Sequence, residues 1–173
     1  MKLLLHTCCG PCFLGVWDDL SQKDFEVTNF FYNPNIWPEE EYEKRKTNLQ
    51  EVAKNTGTRI IFGDYDPEKH ARAILGKENQ FPERCLGCYR LRLEETAKYA
   101  KRNGYSAFST TLLVSPYQNY EALTIISKEL SDKYQINFYE ADWRPLFREG
   151  QALAKNKNIY RQKYCGCKYS LNN

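Results

Sequence analysis

Lys2-Leu3-Leu4-Leu5-His6-Thr7-Cys8-Cys9-Gly10-Pro11-Cys12 is a short apolar run that stops at a knot of three cysteines. The run is too short for a helix and too apolar for a loop, so it reads as a buried strand. Gly10-Pro11 then opens a helical pattern, with Phe13, Leu14, Val16, Trp17 and Leu20 on one broad face. The same alternation continues outward from this unit. Phe25–Phe31, Arg59–Phe62, Ala107–Thr111 and Ile136–Tyr139 are short runs rich in strand-forming residues. Between them lie helical patterns from Glu39 to about Asn55, over Pro67–Leu75, over Cys85–Asn103, from Ser115-Pro116 to about Lys133, and near Glu149–Lys157. Alternating strands and helices predict an α/β fold: a mostly parallel five-stranded sheet in three layers, covered on both faces. No linker, repeat or low-complexity tract divides residues 1–173, so a single domain is expected.

In such sheets ligands bind beyond the carboxyl ends of the strands. The cysteine knot follows the first strand, Asp64 and Asp66 the third, Thr110 and Thr111 the fourth, and Asp142 the fifth. One rim should therefore carry them all. The bulk composition is ordinary, with a formal charge of +3 that permits a nucleic-acid partner without requiring one. There is no apolar run long enough to span a membrane, and the start is too short for a signal peptide. A cytoplasmic protein with reduced thiols is expected.

All seven cysteines fall into three knots: Cys8-Cys9-Gly10-Pro11-Cys12, Cys85-Leu86-Gly87-Cys88 and Cys165-Gly166-Cys167. Buried cysteines that merely replace small apolar residues would scatter. Grouped, odd in number and in a reducing compartment, they point to metal or redox use. Cys85 and Cys88 lie one turn apart at a helix start, where the helix's positive end and Arg84 and Arg90 favour thiolates. A four-ligand zinc site would leave three cysteines idle, so an iron–sulfur centre is the leading reading and zinc the second. Cys8 and Cys9 can serve one centre only if the Gly10-Pro11 turn is sharp. The Cys-Gly-Cys tail has the spacing of a strained, easily exchanged disulfide, or of two further metal ligands. His6 reads as a hydrogen-bonded core residue and His70 as a residue of a polar helix. The segment Tyr160–Tyr164, with Lys168 and Tyr169, reads either as a base-stacking, phosphate-contacting strip or as an ordinary surface. Lys98, Lys101 and Arg102 form a second basic patch.

Several segments together carry a family resemblance: the Cys-Cys-Gly-Pro-Cys start, Phe31-Tyr32-Asn33-Pro34-Asn35-Ile36, Arg84-Cys85-Leu86-Gly87-Cys88-Tyr89-Arg90-Leu91-Arg92-Leu93 and Ser109-Thr110-Thr111-Leu112. The end, Tyr160-Arg161-Gln162-Lys163-Tyr164-Cys165-Gly166-Cys167-Lys168-Tyr169-Ser170, completes the set. In this order they resemble the QueH family of epoxyqueuosine reductases over essentially the whole chain. The resemblance implies deoxygenation of the epoxide on the modified guanine at the tRNA wobble position, the last step of queuosine synthesis. It implies a [4Fe-4S] cluster, no cobalamin, and an additional mononuclear iron as an option beside the cluster. It also implies a Rossmann-like fold of the adenine nucleotide hydrolase type. The first turn carries cysteines where those relatives have a phosphate cradle, so ATP use is not expected.

Removing an epoxide oxygen as water takes two electrons and two protons, and four cluster thiolates leave three thiols over. Two arrangements follow. In the first, Cys8, Cys9, Cys85 and Cys88 hold the cluster, and Cys165 and Cys167 act as a redox dithiol. In the second, Cys12 or a tail cysteine, with an Asp as a further candidate ligand, helps hold a further iron, which acts as a Lewis acid. Asp64, Asp66, Asp142, Tyr164 and Tyr169 are the proton-donor candidates. The expected partners are tRNA carrying epoxyqueuosine and an electron donor. The competing reading is a non-catalytic zinc-thiolate module that binds RNA, and a third is a metal-free thiol oxidoreductase acting on proteins.

Overall fold

The computed structural model describes residues 1–171. Five strands form one sheet: β1 (Lys2–His6), β2 (Glu26–Phe31), β3 (Arg59–Phe62), β4 (Ala107–Thr110) and β5 (Asn137–Phe138). Their order is β3-β2-β1-β4-β5, and every neighbouring pair is parallel. The expected parallel α/β architecture is the observed one. Leu3 to Leu5 are all fully buried. Successive strand residues point to opposite faces, so both faces of β1 are covered. Helix α1 (Gly10–Ser21) packs on α2 (Glu39–Thr56) and on α6 (Phe147–Asn156), and α4 (Glu83–Arg102) packs on α5 (Tyr120–Tyr134), β1 and β4. The short α3 (Pro67–Ala73) lies against α4.

The strand order fixes where a site belongs. From β1 the chain builds outward through β2 and β3, then returns to the other side of β1 for β4 and β5. The two directions part at the β1/β4 boundary, where a crevice opens beyond the strand ends. Cys8 leaves β1 there and Thr111 leaves β4, and the Cys8 amide donates to Thr111 Oγ1 at 3.2 Å.

One helix starts later than its sequence pattern suggests. Ser115-Pro116 begins a turn, with the Tyr117 amide on Ser115 Oγ at 3.3 Å. The helix α5 begins at Tyr120, because Asn119 Oδ1 accepts the Ala122 amide at 3.0 Å and caps it. The residues freed from the helix, Tyr117 and Gln118, reach the crevice.

Candidate metal and redox site

The crevice is a cavity of about 820 Å³, a volume that suits burial of a nucleoside-sized ligand. Cys8, Cys12, Cys85, Cys88, Cys165 and Cys167 line it, so the three knots meet in one place. Cys9 sits directly behind: Gln162, itself in the lining, donates from Nε2 to Cys9 Sγ at 2.9 Å.

The front knot is built by secondary structure. Cys9 caps α1, its Sγ accepting the Cys12 amide at 3.4 Å. The helix then folds back at once, which brings Cys8 Sγ to 3.7 Å from Cys9 Sγ and all three sulfurs within 4.8 Å of one another. The sharp turn needed for adjacent cysteines to serve one centre is thus present. It depends on Gly10, where an added Cβ would lie 2.4 Å from Asn48 Oδ1 on α2. The thiols share charge: Cys12 and Cys9 draw the Cys8 thiol down, while Cys8 pushes Cys12 up and burial pushes Cys9 up.

On α4 the outcome differs from the helix-end expectation. Burial pushes Cys85 up and Cys88 up to about 12. Arg90 pairs with Glu129 on α5 instead of supporting the thiols. Burial therefore outweighs the helix end, and these thiols keep their protons until a metal displaces them.

The tail knot is held by side chains reaching across the sequence. Buried Arg45 on α2 donates to Cys165 O at 3.1 Å and Tyr164 O at 3.0 Å, and is itself paired to Glu41 at 2.7 Å. Arg84 donates to Tyr169 O at 3.3 Å, and the Trp37 amide to Gly166 O at 2.8 Å. Cys165 is exposed and Cys167 buried, and burial pushes Cys167 up.

No Asp or Glu lines the cavity among the described residues; its ionisable groups are thiols, tyrosines, His70, Arg45, Arg84, Arg92 and Lys163. Asp64 is exposed and outside the lining, Asp66 caps α3, and Asp142 pairs with Arg144 on the surface at 2.6 Å. Tyr164 lines the cavity with its hydroxyl on Trp37 O, while Tyr169 lies outside it. Lys98, Lys101 and Arg102 lie toward the far end of α4, where helical rise puts Lys101 about 20 Å from Cys88. His6 donates and accepts within the core, at 2.9 Å from Thr110 Oγ1 and 3.1 Å from Tyr32 O.

The cavity also contains residues with no motif of their own in the sequence, among them Arg45, Phe81, Tyr117, His70, Arg92 and Gln162. His70 is buried, lines the cavity and has an unpartnered Nε2; burial lowers it to about 4. Arg92 follows Cys88 by one turn, and Gln162 bridges tail and front knot. Four-residue spacing of Arg84, Cys88 and Arg92 was the available signal for a cationic face around Cys88.

The donor set suits a soft metal: three clustered sulfurs, four more across the same cavity, and no competing carboxylate. A solved structure titled "predicted subunit of tRNA methyltransferase" from Methanocaldococcus jannaschii superposes with a TM-score of 0.55 at 14% identity, covering 91% of this chain and 88% of that one, which marks a shared fold. The proteins named epoxyqueuosine reductase QueH from Thermotoga maritima and Acinetobacter baylyi are each 36% identical over 98% of the chain, spanning 90% and 80% of their own lengths. The one from Dehalococcoides mccartyi is 32% identical over 98% of the chain and 92% of its own length. The family model described as "Epoxyqueuosine reductase QueH" matches residues 3–173, and the chain belongs to that family.

Proposed function

We propose that this protein reduces epoxyqueuosine to queuosine at the wobble position of a tRNA anticodon. The observation that carries the reading is the convergence of all three knots on one cavity, with no Asp or Glu in its lining among the described residues, in a chain of this family. The reaction breaks both C–O bonds of the epoxide, leaves an alkene, and consumes two protons and two electrons to release water. An iron–sulfur centre of the [4Fe-4S] type, held by Cys8, Cys9, Cys85 and Cys88, would supply electrons singly when bound.

The tail matches the remaining demand. As Cys165 and Cys167 close to a disulfide they release two electrons and two protons, which balances the epoxide's conversion to alkene and water. Asp64 and Asp142 stand outside the lining, so the dithiol is the proton source that fits the cavity best. An external donor then reopens the disulfide. A second reading gives the surplus thiols to a further iron, and the place of Cys12 beside Cys8 and Cys9 favours it.

Exposed Phe81 and Tyr117 in the lining offer stacking faces for the modified base. Tyr160 and Tyr164 have hydroxyls engaged by Glu41 and Trp37, so their place is to hold the tail. Lys163 in the lining, with Arg161 and Lys168 on the same exposed tail, is set to meet flanking phosphates.

Anaerobic incubation with epoxyqueuosine-containing tRNA and a strong reductant, followed by nucleoside analysis, should yield queuosine. No queuosine from iron-loaded, brown protein would overturn the proposal. A Cys165→Ser, Cys167→Ser double variant should load iron yet lose turnover; full turnover would rule out the dithiol. Mössbauer spectra holding only cluster iron would remove the second-iron reading.

A further inference from the structure

The cavity holds a cation, Arg92, that lies 6.0 Å from the Tyr89 ring centroid and forms no ion pair among the described residues. Arg92 is 4% exposed and lines the cavity. Its Nε donates to Cys88 O at 3.2 Å, and its terminal nitrogens donate to no described residue. The two other arginines of the lining are occupied: Arg45 holds Cys165 O, Tyr164 O and Glu41, and Arg84 holds Glu78 O and Tyr169 O. A buried guanidinium without a counter-charge is strongly disfavoured, and among the described residues no Asp or Glu lines the cavity to supply one. The nearby groups able to become anionic are sulfurs. Arg92 already holds the Cys88 carbonyl, and cysteines of the other two knots line the same cavity.

We propose that Arg92 is the fixed counter-charge of the thiolate-bound redox centre, a positioning residue that favours ionised ligands and the reduced state of that centre. The inference rests on the iron–sulfur reading above. Each electron added to a thiolate-ligated centre increases its negative charge. A guanidinium held at Cys88, in the cavity that all three knots line, offsets that increase. Arginine suits this place because it stays protonated when buried, where a lysine readily loses its proton.

The test is an electron-paramagnetic-resonance redox titration of anaerobically reconstituted wild type, Arg92→Lys and Arg92→Gln, with iron content and circular-dichroism melting measured alongside. Arg92→Gln should lower the midpoint by about 59 mV or more, the shift for a tenfold change in a one-electron ratio, and Arg92→Lys by less. If Arg92→Gln takes up no iron, wild-type loading of Arg92→Lys supports the counter-charge. An unmoved midpoint in loaded Arg92→Gln overturns the proposal. So does failure of both variants to fold or to load, which makes the guanidinium a packing element. An unmoved midpoint with weakened tRNA binding gives Arg92 to a phosphate instead. Wild type that takes up no iron brings down the underlying reading first, and is told apart by that control.

Discussion

The front and tail knots carry the same chemistry and are built in opposite ways. Cys8, Cys9 and Cys12 sit where a fully buried strand turns into a helix, and their positions follow from backbone pairing, a helix cap and the close approach of α2 at Gly10. Cys165 and Cys167 sit in no strand or α-helix, held mainly by Arg45, Arg84, Asn35 and the Trp37 amide acting on tail carbonyls. The first arrangement opens only when the core does. The second can open locally, because it belongs to no strand or α-helix and rests on a few long-range hydrogen bonds. That contrast suits a division of labour in which fixed thiols hold a centre and movable thiols exchange electrons.

Removing Arg45 is the strongest way to break the contrast. Arg45→Ala leaves Glu41 without its buried partner and frees two tail carbonyls. Breaking a buried pair costs about 3–5 kcal/mol, which urea unfolding would register. The sharper readout is thiol alkylation of metal-free protein. Cys167 should become reactive while Cys8, Cys9 and Cys12 stay protected. Equal exposure of both knots would mean that they open as one unit.

Acid sharpens the contrast from the other side. His6, at the root of the front knot, is lowered from 6.5 to about 4 by burial, with Arg92 adding to the effect. The native state therefore keeps the ring neutral, while the unfolded chain takes up a proton as pH falls through 6.5. Stability is complete above 6.5 and declines between about 6.5 and 4, by about 3 kcal/mol at most. Denaturation of metal-free, reduced protein at pH 7 and pH 4.5 should show this loss, and His6→Gln should flatten it. The same slope in both proteins would remove His6 as the cause.

How much of this was legible depended on distance along the chain. The five strands could be read because each is a short apolar or β-branched run beside turn residues, and local pattern decides such elements. The front knot followed, since strand order alone sends Cys8 and Thr111 to one crevice. The helix after Ser115-Pro116 starts later than its pattern because two start signals compete there and the Asn119 cap prevails. The tail could not be placed: Arg45 reaches it across 120 residues, and no periodicity encodes such a contact. His70 looked like part of a polar helix because its neighbours are polar, although packing against α4 buries that one position. Asp64 and Asp142 follow strands as expected, yet being on the correct edge of the sheet does not turn a side chain into the cavity.

Two glycines give the smallest and most discriminating comparison. At Gly166 the backbone has φ +113°, and an added Cβ would lie 2.8 Å from Ile36 Cγ1 and 3.3 Å from Arg45 Nη1. Gly166→Ala should cost about 1–3 kcal/mol through backbone strain and crowding. Because the tail can yield by detaching, much of that cost should appear as local opening: faster alkylation of Cys167 with only a small change in the global midpoint. Gly10→Ala meets Asn48 and Val52 across the α1–α2 contact, where nothing can detach. Its cost, about 1–3 kcal/mol by the same overpacking argument, should appear in global unfolding, with all three front thiols exposed together. If Gly166→Ala instead lowers the global midpoint as much as Gly10→Ala does, the tail is part of the folding core and its cysteines are as fixed as those at the front.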